Sequence, residues 1–580
     1  MKFPKTWNLE RIYDGGSLSS SFQNCFQETK EKIDSLKILL CKKRLNESLS
    51  LSQEISFSLR EMNAFVECLN AQDVNDSNAS SLTGKMRTLS TEFSNLELEF
   101  DQALGSLSHQ DFLNLIEIHP DISFHLEEKR KKVKDKLPFE KETFINDLAI
   151  DGYHGWSELW DARISEMFFP FHEKRLSFGQ IENKLGDPER NIRKEGFETI
   201  QKEFKGSEIV FSQILNHLGG FRLEVYKKRG WDLLKEPLDE NRMSAETLEA
   251  MWTAITNIQA SLKEFLSCKS ALLGIEKMSW YDLEAPLTTT SKEITYEDAA
   301  ETILKQFKSF SPKMADFAKK ALENHWIDAE DRIGKRPGGF CIGLPLVKES
   351  RIFMTFSNTM TNLFTLAHEL GHAFHNEILF SLPEMAQDAK MGVAETASTM
   401  AETIVTQAAI KEEKDPKERL FLLDDHLSRS ISYLMNIQAR FLFETRFYEK
   451  RKEGFVSHEA LSEIMESAQK EAYANSLETY HPLFWAAKMH FFFTDVPFYN
   501  FPYTFGYLFS LGIYHYAMEK GDFESSYIAL LEDTGRMNVE SLAKKHLQMD
   551  LSQPKFWDQG LSVIKKDIEE YIKLSKEVLL

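Results

Sequence analysis

The densest chemistry in the 580-residue chain is His368-Glu369-Leu370-Gly371-His372, an H-E-x-x-H pattern. On a helix turning about 100° per residue, the two histidines stand about 40° apart and one turn up, so both imidazoles can meet one ion. Glu369 lies about 60° from His372 on the same side, within reach of a metal-held water without itself ligating. Leu363, Leu366, Leu370 and Phe374 embed this helix, so the imidazoles among them need partners. A catalytic zinc takes three protein ligands and keeps a fourth position open. His375 is the nearest candidate, but on a continuing helix it rises about 4.5 Å beyond His372. Glu395 is the better third ligand: it falls 23 residues after His372, beyond Pro383, in a second helix over Gly392–Glu402. There Glu395, Ser398 and Glu402 share a face, while Ala394, Ala397 and Ala401 keep the helix slim enough to pack against Gly371. Glu402 on that face would orient one imidazole N–H.

The elements that must position these residues are nearly all helical. The periodicity predicts the H-E-x-x-H helix over about Thr361–Phe380, with two strands just before it, Gly338–Ile342 and Arg351–Phe356. The glycines of the first strand would let a peptide backbone approach and pair with it. Residues 17–75 and 80–107 read as two long helical hairpin units joined by a polar loop, Gln72–Ser81. Residues 110–180 continue helical, with breaks expected at Pro120, Pro138 and Pro170. Near residue 185 a turn leads into a further helix, with Asp187 expected to cap it and Pro188 to take its first position. The chain therefore divides as 1–109, an N-terminal helical region; 110–184, a second helical segment of the same lobe; and 185–580.

Composition bounds the partners. The 44 Phe, 16 Tyr and 9 Trp are ample for a large packed core. A formal charge of −20 repels phosphate backbones and anionic lipid, so neither nucleic acid nor a membrane surface is an expected partner. No long uncharged apolar window spans a bilayer, and the first residues lack the apolar core of a signal peptide. Five cysteines without a Cys-x-x-Cys pair read as reduced thiols in a cytoplasmic protein.

Thr365–His375 (TLAHELGHAFH), followed by Val393–Ser398 (VAETAS), resembles the oligoendopeptidase F family, which is related to thimet oligopeptidase and neurolysin. The resemblance runs from about residue 185 to the carboxyl end, which makes 185–580 the zinc metallopeptidase catalytic domain. It implies a mainly α, two-lobed metallopeptidase with a deep central channel and a small β-sheet next to the H-E-x-x-H helix. It also implies one Zn²⁺ per chain on His368, His372 and Glu395, with Glu369 as general base. The activity implied is hydrolysis of internal bonds in short oligopeptides by a metal-activated water; the alternative is a dipeptidyl carboxypeptidase-type exopeptidase of the same clan. Family members carry a His and a following Tyr-rich segment that bind substrate and support the oxyanion. The matching stretch here holds His490, Tyr499, Tyr503 and Tyr507, with Pro502 opening a helix that sets Tyr503 and Tyr507 on one face. Gly506–Ser510 is similar to the thimet segment bearing the oxyanion tyrosine, which favours Tyr507, with Tyr499 and Tyr503 as alternatives.

Overall fold

The computed structural model describes residues 2–287, 293–521 and 523–579. Helices dominate, and the chain folds into two compact units, each assembled from three stretches. The first contains Met1–Lys136, Lys292–Val405 and Ala517–Gln548; the second contains Leu137–Ser291, Thr406–Tyr516 and Met549–Leu580. Among the described residues no helix is long and apolar enough to cross a membrane.

The first unit opens with helices α1 (Ser20–Cys41), α2 (Leu45–Gln72) and α3 (Ser77–Ser106). Their apolar residues recur at helical spacing: Leu82, Met86, Leu89, Phe93 and Leu96 of α3 meet Ile55, Leu59, Met62 and Phe65 of α2 in one core. Residues 17–75 do form a helical hairpin, but 77–106 is a single 30-residue helix and not a second hairpin. Its start is earlier than the polar composition suggested, because the Asp76 carboxylate accepts the N–H groups of Asn78 and Ala79 and caps the Ser- and Asn-rich first turn.

Phe353, Phe340 and Ile342 pack into the same core and bring the β-structure to these helices. Apart from a hairpin of Phe169–Phe171 with Lys174–Leu176, which interrupts the helical run expected over 110–180, three strands form it: β1 (Ile327–Asp328), β2 (Phe340–Leu344) and β3 (Glu349–Phe353). The order is β1-β3-β2, with β1 parallel to β3 and β2 antiparallel to it, Phe340 opposite Phe353 and Leu344 opposite Glu349. Both strands were expected; they reach closer to each other than the sequence implied, because the turn needs only Pro345–Lys348, with Lys348 at φ +53. The sheet leaves β2 as an edge. Helices α4 (Met360–Leu379) and α5 (Met391–Glu412) follow, and the first unit is completed by α6 (Glu524–Asp533) and α7 (Val539–Leu547).

The second unit is built around long helices, among them Glu208–Arg229, Ala245–Leu272, Ile437–Glu453 and Pro554–Leu579, with Trp485 and Trp557 fully buried. The helix expected to start at Pro188 runs over Arg190–Lys205, where Asp187 accepts the Glu189 N–H one step before the helix. His481 in this unit is buried and held from two sides: its Nδ1 faces Gln201 Nε2 at 2.7 Å, and its backbone exchanges hydrogen bonds with the Gln469 side chain. Burial pushes its pKa from 6.5 down to about 3. The unfolded chain therefore takes up a proton that the folded chain refuses, and stability present above about pH 6.5 drains away as pH falls toward 3. By pH 5 the loss from this group is about 2 kcal/mol. Thermal unfolding of the wild type and His481→Gln at pH 7 and pH 5 should show a smaller acid-induced drop in the variant; equal drops would refute the assignment.

Candidate metal centre

Helix α4 starts where Thr359 Oγ1 accepts the Asn362 N–H at 3.2 Å. Leu363, Leu366, Leu370 and Phe374 are buried along one stripe. Asn376, one turn beyond His372, donates to Ser350 Oγ at 3.3 Å, and a Cβ on Gly343 would stand 3.2 Å from the same amide. The sheet thus lies directly against the H-E-x-x-H helix. His375 is buried, with Nε2 2.7 Å from Thr534 Oγ1 just past the end of α6. The Thr534 hydroxyl gives its own proton to Leu531 O, so His375 is the donor and serves as an anchor.

Helix α5 packs on α4 at Gly371. A Cβ there would lie 2.7 Å from Ala397 O and 2.8 Å from both Ala401 Cβ and Ser398 Cα, so no larger residue fits without pushing the two helices apart. Gly371→Ala gains about 1 kcal/mol in helix propensity. The overpacking, against backbone that cannot swing aside, costs about 1–3 kcal/mol. The expected result is a lower Tm together with weaker metal retention under dialysis, because the two ligand-bearing helices move relative to each other. A variant with native Tm and native metal content would disprove that coupling.

This contact brings the three carriers together. Ligand atoms of His368, His372 and Glu395 lie within 4.8 Å of one another, and among the described residues no other group of His, Cys, Asp and Glu side chains is so placed. Glu395 Oε2 stands 3.7 Å from His368 Nε2 and 3.9 Å from His372 Nε2. Those are poor hydrogen-bond lengths but suit atoms that share a cation, since tetrahedral zinc ligands at about 2.0–2.1 Å sit about 3.3 Å apart. His368 turns its other nitrogen, Nδ1, to Glu402 Oε2 at 3.4 Å, which directs Nε2 toward Glu395. Burial would depress the His368 pKa, but Glu402, Glu369 and Glu395 raise it to about 9, while burial and the neighbouring imidazoles hold His372 well below its usual value.

Glu369 sits beside this group, only 7 % exposed. Its Oε2 is buried with no hydrogen-bond partner among the described residues. Burial raises its carboxyl to about 7, with His368 pulling down and Glu395 adding a smaller upward push. An orphaned carboxylate oxygen next to three convergent donor atoms marks a place built for something the protein chain does not supply. Gly339, just before β2, approaches the same carboxylate: a Cβ there would be 3.7 Å from Glu369 Oε1 and 3.3 Å from Phe353 O.

The remaining sequence candidates lie in the second unit. His490, Tyr499 and Tyr503 come together there, with ring centroids 4.9 Å apart for His490–Tyr499 and the Tyr499 and Tyr503 hydroxyls 3.5 Å apart. Tyr507 does not join them: it is buried, stacked on Tyr433, and its hydroxyl is 2.7 Å from Ser430 Oγ. Ser430 already donates to His426 O, so Tyr507 supplies the proton in that pair. Two residues absent from the sequence reading, Asn500 and Arg440, hold His490 in place.

The helical body, the paired imidazoles with their carboxylate and the buried Glu369 define a metallopeptidase. The chain belongs to peptidase family M3, whose sequence profile matches residues 185–562, and it is a metalloendopeptidase. It is 23 % identical to oligopeptidase PepF of Bacillus subtilis (strain 168) over 100 % of this chain and 88 % of that protein. It is 26 % identical to an oligoendopeptidase F homolog of Lactococcus lactis subsp. lactis (strain IL1403) over 57 % of this chain and 56 % of that one. The fold is that of oligoendopeptidase-F from Enterococcus faecium, with a TM-score of 0.69, 17 % identity and coverage of 96 % of this chain and 99 % of that chain. The resemblance to the oligoendopeptidase F family read from residues 365–398 holds.

Proposed function

We propose that the protein is a zinc endopeptidase that cleaves internal bonds of short peptides, with His368, His372 and Glu395 holding the ion and Glu369 moving the proton. The observation that carries this reading is the convergence of three ligand atoms beside the unpartnered Oε2 of Glu369. Two imidazoles and one carboxylate form a donor set that zinc hydrolases use. When bound, zinc would acidify water and polarise a carbonyl. Glu369 would accept the proton released from the attacking water and hand it to the departing amine, a role suited to a buried carboxylate with an uncommitted oxygen. Glu402 would keep His368 in the tautomer that ligates through Nε2.

Substrate binding in this reading uses the backbone. The β2 edge offers unpaired N–H and C=O groups, and Gly338-Gly339 leave room for an added strand next to Glu369. Main-chain pairing would make side-chain preference loose, in keeping with relatives named as oligopeptidases. His490, Tyr499 and Tyr503, all in the second unit, are proposed substrate contacts, whereas Tyr507 is packed against Tyr433 and Ser430. Tyr499 and Tyr503 are the proposed donors to the carbonyl oxygen, since the proton of Tyr507 goes to Ser430. A cytoplasmic setting belongs to the same reading, supported by five free cysteines, and the net charge of −20 argues against nucleic acid and anionic lipid as partners.

The test is metal analysis of the purified protein together with cleavage mapping on a peptide blocked at both ends. One zinc per chain and internal cuts are expected. A blocked peptide left intact while its free-ended counterpart is shortened from the carboxyl end would replace this reading with the exopeptidase one.

A further inference from the structure

His490 sits in a short turn, Met489–Phe492, and is half-buried. Its Nδ1 lies 2.7 Å from Asn500 Oδ1, and the same oxygen accepts from Arg440 Nη1 at 2.9 Å. Arg440 is itself fixed: Nε donates to Asn436 Oδ1 at 2.7 Å, and the guanidinium lies 5.3 Å over the Phe484 ring. A guanidinium has donors only, so the amide atom facing Arg440 must be the oxygen; a flipped Asn500 would set NH₂ against N–H. That oxygen has no proton to give, so the one between it and His490 must sit on Nδ1. Asn500 is buried, and its Nδ2 has no hydrogen-bond partner among the described residues. Of the amide atoms, only the oxygen is engaged among the described residues.

We propose that Arg440 and Asn500 are positioning residues that hold His490 as the Nδ1–H tautomer, presenting its Nε2 lone pair as an acceptor for a main-chain N–H of the peptide. The acceptor role of Nε2 rests on His490 being a substrate contact, as proposed above; the tautomer does not. Protonation does not intrude at neutral pH, because burial and the Lys488 ammonium push His490 down to about 4, with Arg440 adding to them and only the Asn500 bond opposing. The other groups about the ring are Phe493, with centroids 5.5 Å away, and the Tyr499 ring, neither of which competes for the Nδ1 proton. An acceptor at His490 stands close to the Tyr499 ring, whose hydroxyl can donate, so together they could meet both halves of a peptide group.

The experiment is a long-range ¹H–¹⁵N correlation on protein labelled at histidine nitrogen, with the His490 signals identified by their loss in His490→Gln. At pH 7 the wild type should show a protonated Nδ1 and a bare Nε2. Asn500→Asp should keep the proton on Nδ1, with a bare Nε2 at alkaline pH, whereas Asn500→Leu and Arg440→Met should let the neutral Nε2–H tautomer appear. In kinetics Asn500→Leu should lower kcat/KM about tenfold or more. Asn500→Asp should recover most of it at alkaline pH while moving the acid limb of the profile upward, since a carboxylate favours the imidazolium. A purely structural Asn500 would not move that limb, and circular dichroism verifies that each variant is folded. A protonated Nε2 in the wild type, an unchanged tautomer in both Asn500→Leu and Arg440→Met, or an unmoved limb in Asn500→Asp overturns the proposal. His490→Gln turning over peptide at the wild-type rate, with the tautomer as stated, would overturn the substrate contact alone. A wild type that cleaves no peptide would instead refute the functional reading, while the spectrum still decides the tautomer.

Discussion

Glu369→Gln should bind metal as the wild type does and yet lose about 10²–10⁴-fold in kcat on an internally quenched peptide. The substitution keeps the volume and removes the basic oxygen, whose Oε2 has no protein partner to reorganise. The ligand atoms of His368, His372 and Glu395 stay where they are, so metal content by mass spectrometry should remain at the wild-type level. KM should change little, because the proposed binding through the β2 edge does not use the Glu369 proton. Activity within a fewfold of wild type would remove Glu369 from the chemistry, and loss of metal would make it a ligand instead.

Glu395→Ala is expected to abolish turnover by a different route. Removing one of three ligand atoms leaves two imidazoles, and a bound cation that contributes several kcal/mol of transition-state stabilisation is lost, about 10³-fold or more in rate. The distinguishing signature is thermal. A metal present at about 1,000 times its Kd stabilises the folded state by about 4 kcal/mol, so a chelator should lower the Tm of the wild type. The same chelator should leave the Tm of Glu395→Ala unmoved, since nothing is there to remove. A variant whose Tm still falls on chelation would show that the ion is held elsewhere.

What the sequence disclosed and what it hid follow from distance along the chain. The two imidazoles lie one turn apart on a helix whose apolar stripe, Leu363 to Phe374, is plain in the residues, and the structure starts that helix within a residue of expectation. Glu395 was legible because a glycine on one helix and alanines on the next announce a close crossing, and Gly371 indeed faces Ala397 and Ala401. Local polarity misled at residues 72–81, where serines and asparagines suggested a loop and Asp76 instead caps a long helix. Arg440 was invisible: the asparagine it fixes lies 60 residues further on, and no periodicity relates the two. Tyr507 shows the same limit, since its match to a motif says nothing of the Ser430 hydroxyl that engages it from 77 positions away.

The unit that carries the candidate metal site is stitched from three segments, the last of which finishes at Gln548. Thr534, which secures His375 on the ligand-bearing helix, lies in the last of them. A ribosome must therefore emit the chain through Thr534 before that helix can acquire this neighbour, and until then its apolar stripe has an incomplete shelter. Such late, sequence-distant closure slows assembly and exposes sticky intermediates to aggregation. Carboxyl-terminal truncations that stop short of Thr534 should consequently fail by misassembly even though every metal-binding side chain is present.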